Sequence, residues 1–315
     1  MPSAGLSPEQ AGEILRAGGV VAIPTETVYG LAARADLAES VLKIFRAKGR
    51  PANDPLIVHI ADIGELDGVA SEVPPGAKAL AEAFWPGPLT LVLPKRPCIP
   101  PETTSGLETV AVRMPSHPVA RAVIRAAGVP LAAPSANPFG RTSPTCVAHL
   151  DPGMMAQVDG YVDGGPCEVG VESTIVGFFG GRPVLLRPGG LALEEIESVV
   201  GRVGLPEKKN AKIVAPGQMP SHYAPRTPLR LKGDPEAVEG PEAARLLFGG
   251  AAAPGECAGW RNLSPAGDPA EAARNLYRMM RELDAVGARV IVADLLPDEG
   301  LGRAVNDRLR RAAAH

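Results

Sequence analysis

The sequence is poor in aromatic residues, which make up 4% of its 315 residues, whereas hydrophobic residues make up 45%. The core must therefore be built from Val, Leu, Ile and Ala, and the chain is too hydrophobic to be disordered. No apolar run approaches the roughly 18–20 residues that a membrane-spanning helix needs. The formal net charge of −3 argues against a protein held to nucleic acid mainly by bulk charge, although it is compatible with a local basic cleft.

Cysteine is also scarce, and two common enzyme signatures are missing. The four cysteines are far apart and form no C-x-x-C pair, so we expect no structural zinc site. The first residues carry no signal-peptide pattern, and we expect a reduced, cytoplasmic protein. The chain contains neither the G-x-x-x-x-G-K-[ST] phosphate loop nor the G-x-S-x-G nucleophile elbow.

Helix and strand patterns interleave along the first 204 residues without strict βαβ regularity, which predicts a large mixed, twisted α/β sheet. The predicted helices include a capped helix that starts after Ser7, together with segments 38–48, 77–84, 118–127 and 193–200. The predicted strands are 20–23, 56–60, 89–93, 110–113, 131–133, 174–176 and 184–186.

A second, smaller domain is predicted after a proline-rich connection. Residues 205–228 read as an interdomain linker, and four prolines between 215 and 228 make its second half stiff and extended. Residues 229–315 then show strands at 229–231 and 290–295 and helices at 270–283 and 301–313. This pattern predicts a Rossmann-like, three-layer α/β domain with parallel strands.

Lys48 and Arg50 follow a predicted helix and precede Pro51. Cations at a helix C-terminus are often only solvated partners of the macrodipole. Here the proline fixes the exit of the chain, which a phosphate site needs and a solvated helix end does not. The strand that follows ends in His59, which is either a structural histidine or a ligand contact at a strand end.

Arg113 and Arg187 each end a buried strand. A buried arginine stays charged and needs an anionic partner, either an internal carboxylate or the carboxylate of a ligand. Two hydroxyl-rich segments could complete a site: the loop from Ser135 to Thr145 and the turn at 25–29. Each is either a well-capped loop or a set of donors for an anionic substrate.

Six short motifs occur in an order that resembles the YrdC-like family. They are P-T-E-T-V-Y-G-L at 24–31, K-G-R-P at 48–51, P-L-I-V-H at 55–59, W-P-G-P-L-T at 85–90, P-S-A-N at 134–137 and V-E-S-T at 171–174. The S-H-Y-A-P run at 221–225 and the segments N-L-S at 262–264 and A-V-N-D-R-L at 304–309 are similar to the two-domain branch of that family. The resemblance therefore covers nearly the whole chain.

The active members of this family are threonylcarbamoyl-AMP synthases. The resemblance implies that L-threonine, bicarbonate and ATP are converted into threonylcarbamoyl-AMP and pyrophosphate, with Mg²⁺ bound to the phosphates of ATP. It also implies that the product supplies a separate tRNA threonylcarbamoyl transferase complex. Direct tRNA contact would be weak, and no membrane is involved.

The resemblance also assigns roles to residues. Threonine would be bound by Thr27, His59, Arg113, Ala133 and Ser173. ATP would be bound by Arg50, Asp54, Thr109, Ser135, Ser143, Arg187 and Tyr223. The catalytic positions would be Lys48, Arg50, Ser135 and Asn137, and no residue is expected to bind a metal directly.

Asp54 departs from the family pattern, in which asparagine is frequent at this position. Its carboxylate would repel phosphate unless a metal or Lys48 intervenes. Two other functions compete with the synthase. One is an RNA-binding module, which the acidic balance and the scarce aromatics disfavour. The other is a hydrogenase-maturation type of carbamoylation, whose enzymes carry zinc-finger and acylphosphatase-like segments that this chain lacks.

Overall fold

The computed structural model describes residues 5–205, 215–217, 219, 222–238, 240–250 and 255–314. Parts of the predicted linker, at 206–214, 218 and 220–221, lie outside the described residues, so the predicted boundaries of the linker stay a prediction. In the described parts of the chain, no helix is long and apolar enough to cross a membrane.

The first domain contains nine described strands in one mixed sheet. In chain order they are β1 (Val21–Ile23), β2 (Gly30–Arg34), β3 (Ile57–His59), β4 (Leu89–Pro94), β5 (Thr109–Arg113), β6 (Leu131–Ala132), β7 (Gly160–Tyr161), β8 (Thr174–Phe179) and β9 (Arg182–Arg187). Across the sheet the order is β7-β1-β2-β6-β3-β5-β4-β8-β9. The predicted mixed α/β sheet is confirmed.

The five longer helices of this domain lie at or near their predicted positions, and its three short helices were not predicted. Together they are α1 (Pro8–Arg16), α2 (Ala38–Lys48), α3 (Leu66–Val69), α4 (Pro75–Phe84), α5 (Pro101–Thr104), α6 (Pro118–Ala127), α7 (Pro152–Met155) and α8 (Leu193–Val200). Local signals account for these bounds. The Ser7 hydroxyl accepts from the Gln10 N–H while the Gln10 side chain accepts from the Ser7 N–H. Both α2 and α6 end at a left-handed glycine.

Strand register places the functional candidates together at the ends of neighbouring central strands. Strands β3 and β5 run parallel, and His59 pairs with Arg113 where both strands end. Strand β4 runs antiparallel to β5, so Thr90 near its start lies opposite Arg113. Strand β8 runs parallel to β4 and begins directly after Ser173. Residues about 115 positions apart therefore meet because of strand pairing alone.

The C-terminal domain consists of β10 (Leu229–Leu231), β11 (Ala243–Leu247), β12 (Gly259–Asn262), α9 (Pro269–Asp284), β13 (Val290–Ala293) and α10 (Gly302–Ala313). Its strands pair in the order β10-β13-β11-β12, and every pairing is parallel, as predicted. Helices α9 and α10 share one apolar cluster with the sheet and with Val28 and Val171 of the first domain. The described helices thus cover one face of the sheet, whereas the sequence pattern predicted three layers. They share that face because they lie between their own sheet and the first domain.

Candidate active site

A cavity of about 50 Å³ lies at these strand ends, where the linker passes over them. The ends of β3 and β5 form its floor, the P-S-A-N loop forms one wall, and Ser173 and Arg187 form another. Pro216, Gly217 and Tyr223 of the linker form its roof. A segment that connects the two domains therefore covers one side of the cavity.

All five residues expected to bind threonine line this cavity; they are Thr27, His59, Arg113, Ala133 and Ser173. They come from five separate segments, which strand pairing brings together. The Ala133 N–H donates to the Ile57 carbonyl at 3.0 Å, which ties the segment that carries Ala133 to β3. One part of the cavity thus combines hydroxyls, an imidazole and a guanidinium.

Arg113 has an internal anionic partner, which answers one question that the sequence left open. Its Nη2 lies 2.7 Å from Glu26 Oε1, and both side chains are buried. Its Nη1 donates to the Thr27 hydroxyl at 2.9 Å. Burial acts to raise the pKa of Glu26, but the Arg113 guanidinium outweighs it and holds that pKa below its ordinary value. Arg113 is therefore fixed in place beside Thr27.

His59 is almost fully buried, and its Nδ1 lies 3.2 Å from the Ile57 carbonyl. Burial, together with the positive charge of Arg113, lowers the pKa of His59 to about 3. The imidazole is consequently neutral at neutral pH, and it adds polarity to the cavity without adding charge.

Ser173 is held by two neighbours that orient its hydroxyl. The Thr90 and Ser173 hydroxyls lie 2.7 Å apart, and Arg187 Nη2 donates to the Ser173 carbonyl at 2.8 Å. Sequence reasoning did not single out Thr90, although it lies in the W-P-G-P-L-T motif. Its register opposite Arg113 was the missing information.

Four of the residues expected to bind ATP also line the cavity: Arg50, Ser135, Arg187 and Tyr223. The guanidinium of Arg50 lies 2.9 Å from the Asp54 carboxylate, and the side chains are 4% and 0% exposed. Arg187 is also buried, and its described hydrogen bonds go to uncharged oxygens of Ser173 and Pro216, while the Glu172 carboxylate interacts with its charge. A buried cation whose hydrogen-bond partners are neutral is a strong binding point for an anion.

The roof is packed closely against these cations. Gly217 has a φ of 74°, and a Cβ there would lie 2.5 Å from the Tyr223 hydroxyl and 2.9 Å from Arg187 Nη1. Only glycine fits this position. Arg187 Nη1 donates to the Pro216 carbonyl at 3.2 Å, so the same arginine binds both the roof and the wall.

Lys48 and Asn137 lie behind the cavity wall. The Lys48 ammonium donates to the Ser135 and Asn137 carbonyls, both at 2.5 Å. The Asn137 amide donates to the Pro138 and Arg141 carbonyls, each at 2.9 Å. In this structure the two residues hold the loop that carries Ser135. Burial, assisted by Arg50, places the pKa of Lys48 well below its ordinary value.

The remaining three candidates lie outside the cavity lining. Asp54 is the counter-ion of Arg50. Burial raises the pKa of Asp54, although Arg50 and the backbone N–H of Gly217 in the roof act to lower it. Ser143 donates to the Glu172 carboxylate at 2.5 Å. Thr109 begins β5, whereas Arg113 ends it, so Thr109 lies about 13 Å along the strand from Arg113.

Two residues of the C-terminal domain reach this site, and sequence reasoning missed their role. Tyr277 donates to Glu172 at 2.9 Å, and Arg308 Nε donates to the same carboxylate at 2.7 Å. Arg308 lies within the A-V-N-D-R-L segment, which was the one available signal. Among the described residues, no group of three or more His, Cys, Asp or Glu side chains is placed to hold a metal ion.

The chain matches two family profiles that together span almost its full length. The family described as "Telomere recombination" matches residues 13–189. The family described as "Threonylcarbamoyl-AMP synthase, C-terminal domain" matches residues 191–314.

Similar proteins agree with these matches. The threonylcarbamoyl-AMP synthase of Bacillus subtilis is 44% identical over 321 residues, covering 96% of this chain and 92% of the relative. That of Pyrococcus abyssi is 42% identical over 319 residues, covering 97% and 93%. The crystal structure of P. abyssi Sua5 complexed with L-threonine superposes with a TM-score of 0.87 at 41% identity, covering 97% of this chain and 94% of that one. The resemblance seen in the motifs is confirmed, and the chain belongs to the threonylcarbamoyl-AMP synthase family, in the branch whose first domain is followed by this C-terminal domain.

Proposed function

We propose that this protein is a nucleotidyltransferase that converts L-threonine, bicarbonate and ATP into threonylcarbamoyl-AMP and pyrophosphate. The observation that supports the proposal is the convergence, around one cavity, of an amino-acid end and an anion end. The first is built around Arg113 and His59, and the second around Arg50 and Arg187. Ser135 and Ser173 supply hydroxyls to the walls between them.

The threonine end is suited to a zwitterion that must lose a proton. Arg113 binds the carboxylate of threonine while Glu26 and Thr27 keep its guanidinium in place. Neighbouring cations favour the neutral form of the amine, which adds to bicarbonate to give a carbamate and water, or to carbon dioxide to give a carbamate and a proton that passes to solvent. The neutral His59 contributes a hydrogen-bonding group and no repulsive charge.

The nucleotide end is suited to a transfer that needs positioning and charge neutralisation. A carbamate oxygen attacks the α-phosphorus in line, and the bond to the leaving pyrophosphate breaks. Arg50 and Arg187 offset the negative charge of the phosphates, and Ser135 orients them. A cavity of about 50 Å³ is far smaller than the roughly 300 Å³ of a typical small-molecule site. We infer that the roof of Pro216, Gly217 and Tyr223 moves outward to admit ATP.

Mg²⁺ would enter with ATP and would be held by its phosphate oxygens, because Asp54 is already paired with Arg50 and Glu172 with Arg308. The product is an activated, hydrolysable acyl-adenylate, so it requires a transferase that carries the threonylcarbamoyl group to tRNA. We place the reaction in the cytoplasm, and direct contact with tRNA is expected to be weak.

The test is incubation with ATP, Mg²⁺, L-threonine and labelled bicarbonate, followed by separation of the labelled adenylate. Label must appear in threonylcarbamoyl-AMP, and pyrophosphate release must require threonine. Ser135→Ala is the informative variant, because the Lys48 contact to the Ser135 carbonyl survives it. We expect turnover to fall about a hundredfold. Ser198→Ala, which removes an exposed hydroxyl on α8, is the control and should retain full activity. Threonine-independent pyrophosphate release would refute the proposal.

A further inference from the structure

The carboxylate of Glu172 is the point at which the C-terminal domain reaches the site. It accepts from the Ser143 hydroxyl at 2.5 Å, the Tyr277 hydroxyl at 2.9 Å and Arg308 Nε at 2.7 Å. Two of these three donors lie on α9 and α10. Glu172 itself lines the cavity and directly precedes Ser173. The carboxylate therefore connects Tyr277 and Arg308 of the second domain to Ser143 and to the cavity that Glu172 lines.

Arg308 contacts the roof as well as the wall. Its side chain is 0% exposed, and its guanidinium carbon lies 4.8 Å from the centroid of the Tyr223 ring. An arginine over an aromatic face attracts it, and more strongly in a site shielded from water. The Tyr277 ring also lies close to the Tyr223 ring, with the ring centroids 6.1 Å apart.

Tyr223 needs such support because of its backbone. Its φ is 65°, in the left-handed region that a bulky residue rarely adopts. A conformation of this kind persists only when its surroundings hold it. Tyr223 is also 1% exposed and lines the cavity. The residues that hold Tyr223 consequently set the shape of the roof.

We propose that Arg308 is a positioning residue through which the C-terminal domain builds the nucleotide end of the site. It acts by holding the Tyr223 ring over the cavity and by fixing the carboxylate of Glu172, with Tyr277 as its partner. This inference rests on the proposed function, since it assigns the nucleotide to the Tyr223 side.

Simple docking of the two domains does not depend on Arg308 alone. Arg303, on the same helix, forms an ion pair with Glu194 at 2.6 Å, and its side chain is 30% exposed. Arg274 donates to the Glu168 carbonyl at 2.9 Å. Arg303 therefore provides a matched control: an interdomain ion pair from α10 that lies away from the cavity.

The experiment compares steady-state kinetics of Arg308→Met and Arg303→Met in the full-length enzyme. For Arg308→Met we expect the KM for ATP to rise about tenfold, equivalent to about 1.4 kcal/mol, while the KM for threonine changes less than about twofold. Arg308→Lys keeps the charge but loses the planar face, so its KM for ATP should lie between that of the unmodified enzyme and that of Arg308→Met. Arg303→Met should match the unmodified enzyme. Equal effects of Arg308→Met and Arg303→Met, or equal changes in both KM values, would overturn the inference.

Tyr277→Phe keeps the test valid if Arg308→Met fails to fold. It removes one hydroxyl and leaves the ring, and we expect the KM for ATP to rise about threefold. An unchanged KM for ATP in Tyr277→Phe would then refute the proposal. Product formation together with titration calorimetry of ATP binding distinguishes failure of the proposed function from failure of the positioning role. If the unmodified enzyme makes no threonylcarbamoyl-AMP, the proposed function fails. If it does, but Arg308→Met binds ATP as tightly, only the positioning role fails.

Discussion

The buried pair of Arg50 and Asp54 allows a prediction in which protein stability and nucleotide affinity change in opposite directions. The perturbation is Asp54→Asn, which removes the negative charge and keeps nearly the same shape. Arg50 also donates to the Asp54 carbonyl at 3.0 Å and to the Pro55 carbonyl at 2.9 Å. Because those bonds involve the backbone, they survive the substitution. The variant thus isolates the effect of the charge.

The expected loss of stability follows from the geometry of the pair. Two unit charges 2.9 Å apart attract by about 6 kcal/mol at an effective dielectric constant of about 20. Desolvation offsets part of this, and removing one partner of a buried pair typically costs about 3–5 kcal/mol. Since asparagine keeps an oxygen acceptor for Arg50, we expect a loss of about 3 kcal/mol in the free energy of unfolding.

ATP should bind more tightly to the same variant. The carboxylate of Asp54 repels phosphate and competes with it for Arg50, so its removal should raise ATP affinity about tenfold. Because a ligand stabilises the state that it binds, the rise in melting temperature on adding ATP must be larger than in the unmodified protein.

The assay is thermal unfolding with and without ATP, and Asp36→Asn is the matched control. Arg34 and Asp36 lie 2.8 Å apart, but their side chains are 28% and 26% exposed. A partly exposed pair that water screens contributes about 1 kcal/mol or less, far below the loss expected for the buried pair. The reasoning is refuted if Asp54→Asn melts like Asp36→Asn, or if the shift produced by ATP becomes smaller. A smaller shift would mean that the carboxylate assists ATP, for instance through a bound cation.

Two further predictions concern Glu172 and Gly189. Burial acts to raise the pKa of Glu172, but Arg308, Arg187 and Ser143 lower it to about 2 from 4.5. The contribution of the ionised Glu172 to stability is therefore complete above pH 4.5 and is lost as the pH falls towards about 2. The free energy of urea unfolding should consequently differ least between Glu172→Gln and the unmodified protein at the acid end of this range. A Cβ at Gly189 would lie 2.3 Å from the Ser173 carbonyl carbon, so Gly189→Ala should raise the KM for threonine, whereas Gly64→Ala, which meets nothing, should not.

Helices were predictable from sequence because their signals are local. The bounds of α2, α6 and α8 agree with the sequence patterns, since caps, prolines and terminal glycines act within one turn. Strand β2 was not predicted. Its residues, Gly30–Arg34, include no β-branched side chain, and the strand forms because β1 and β6 pair on either side of it.

The sequence by itself determined the family, the alternation of elements and the residue types available for binding an amino acid and a polyphosphate. It also placed Arg113 and Arg187 at strand ends and required an anion for each. Only the tertiary structure decided what each arginine meets. Arg113 pairs with Glu26, whereas Arg187 donates to uncharged oxygens of Ser173 and Pro216. Electrostatic partnership depends on distance and burial in three dimensions, and strand pairing and domain docking set both.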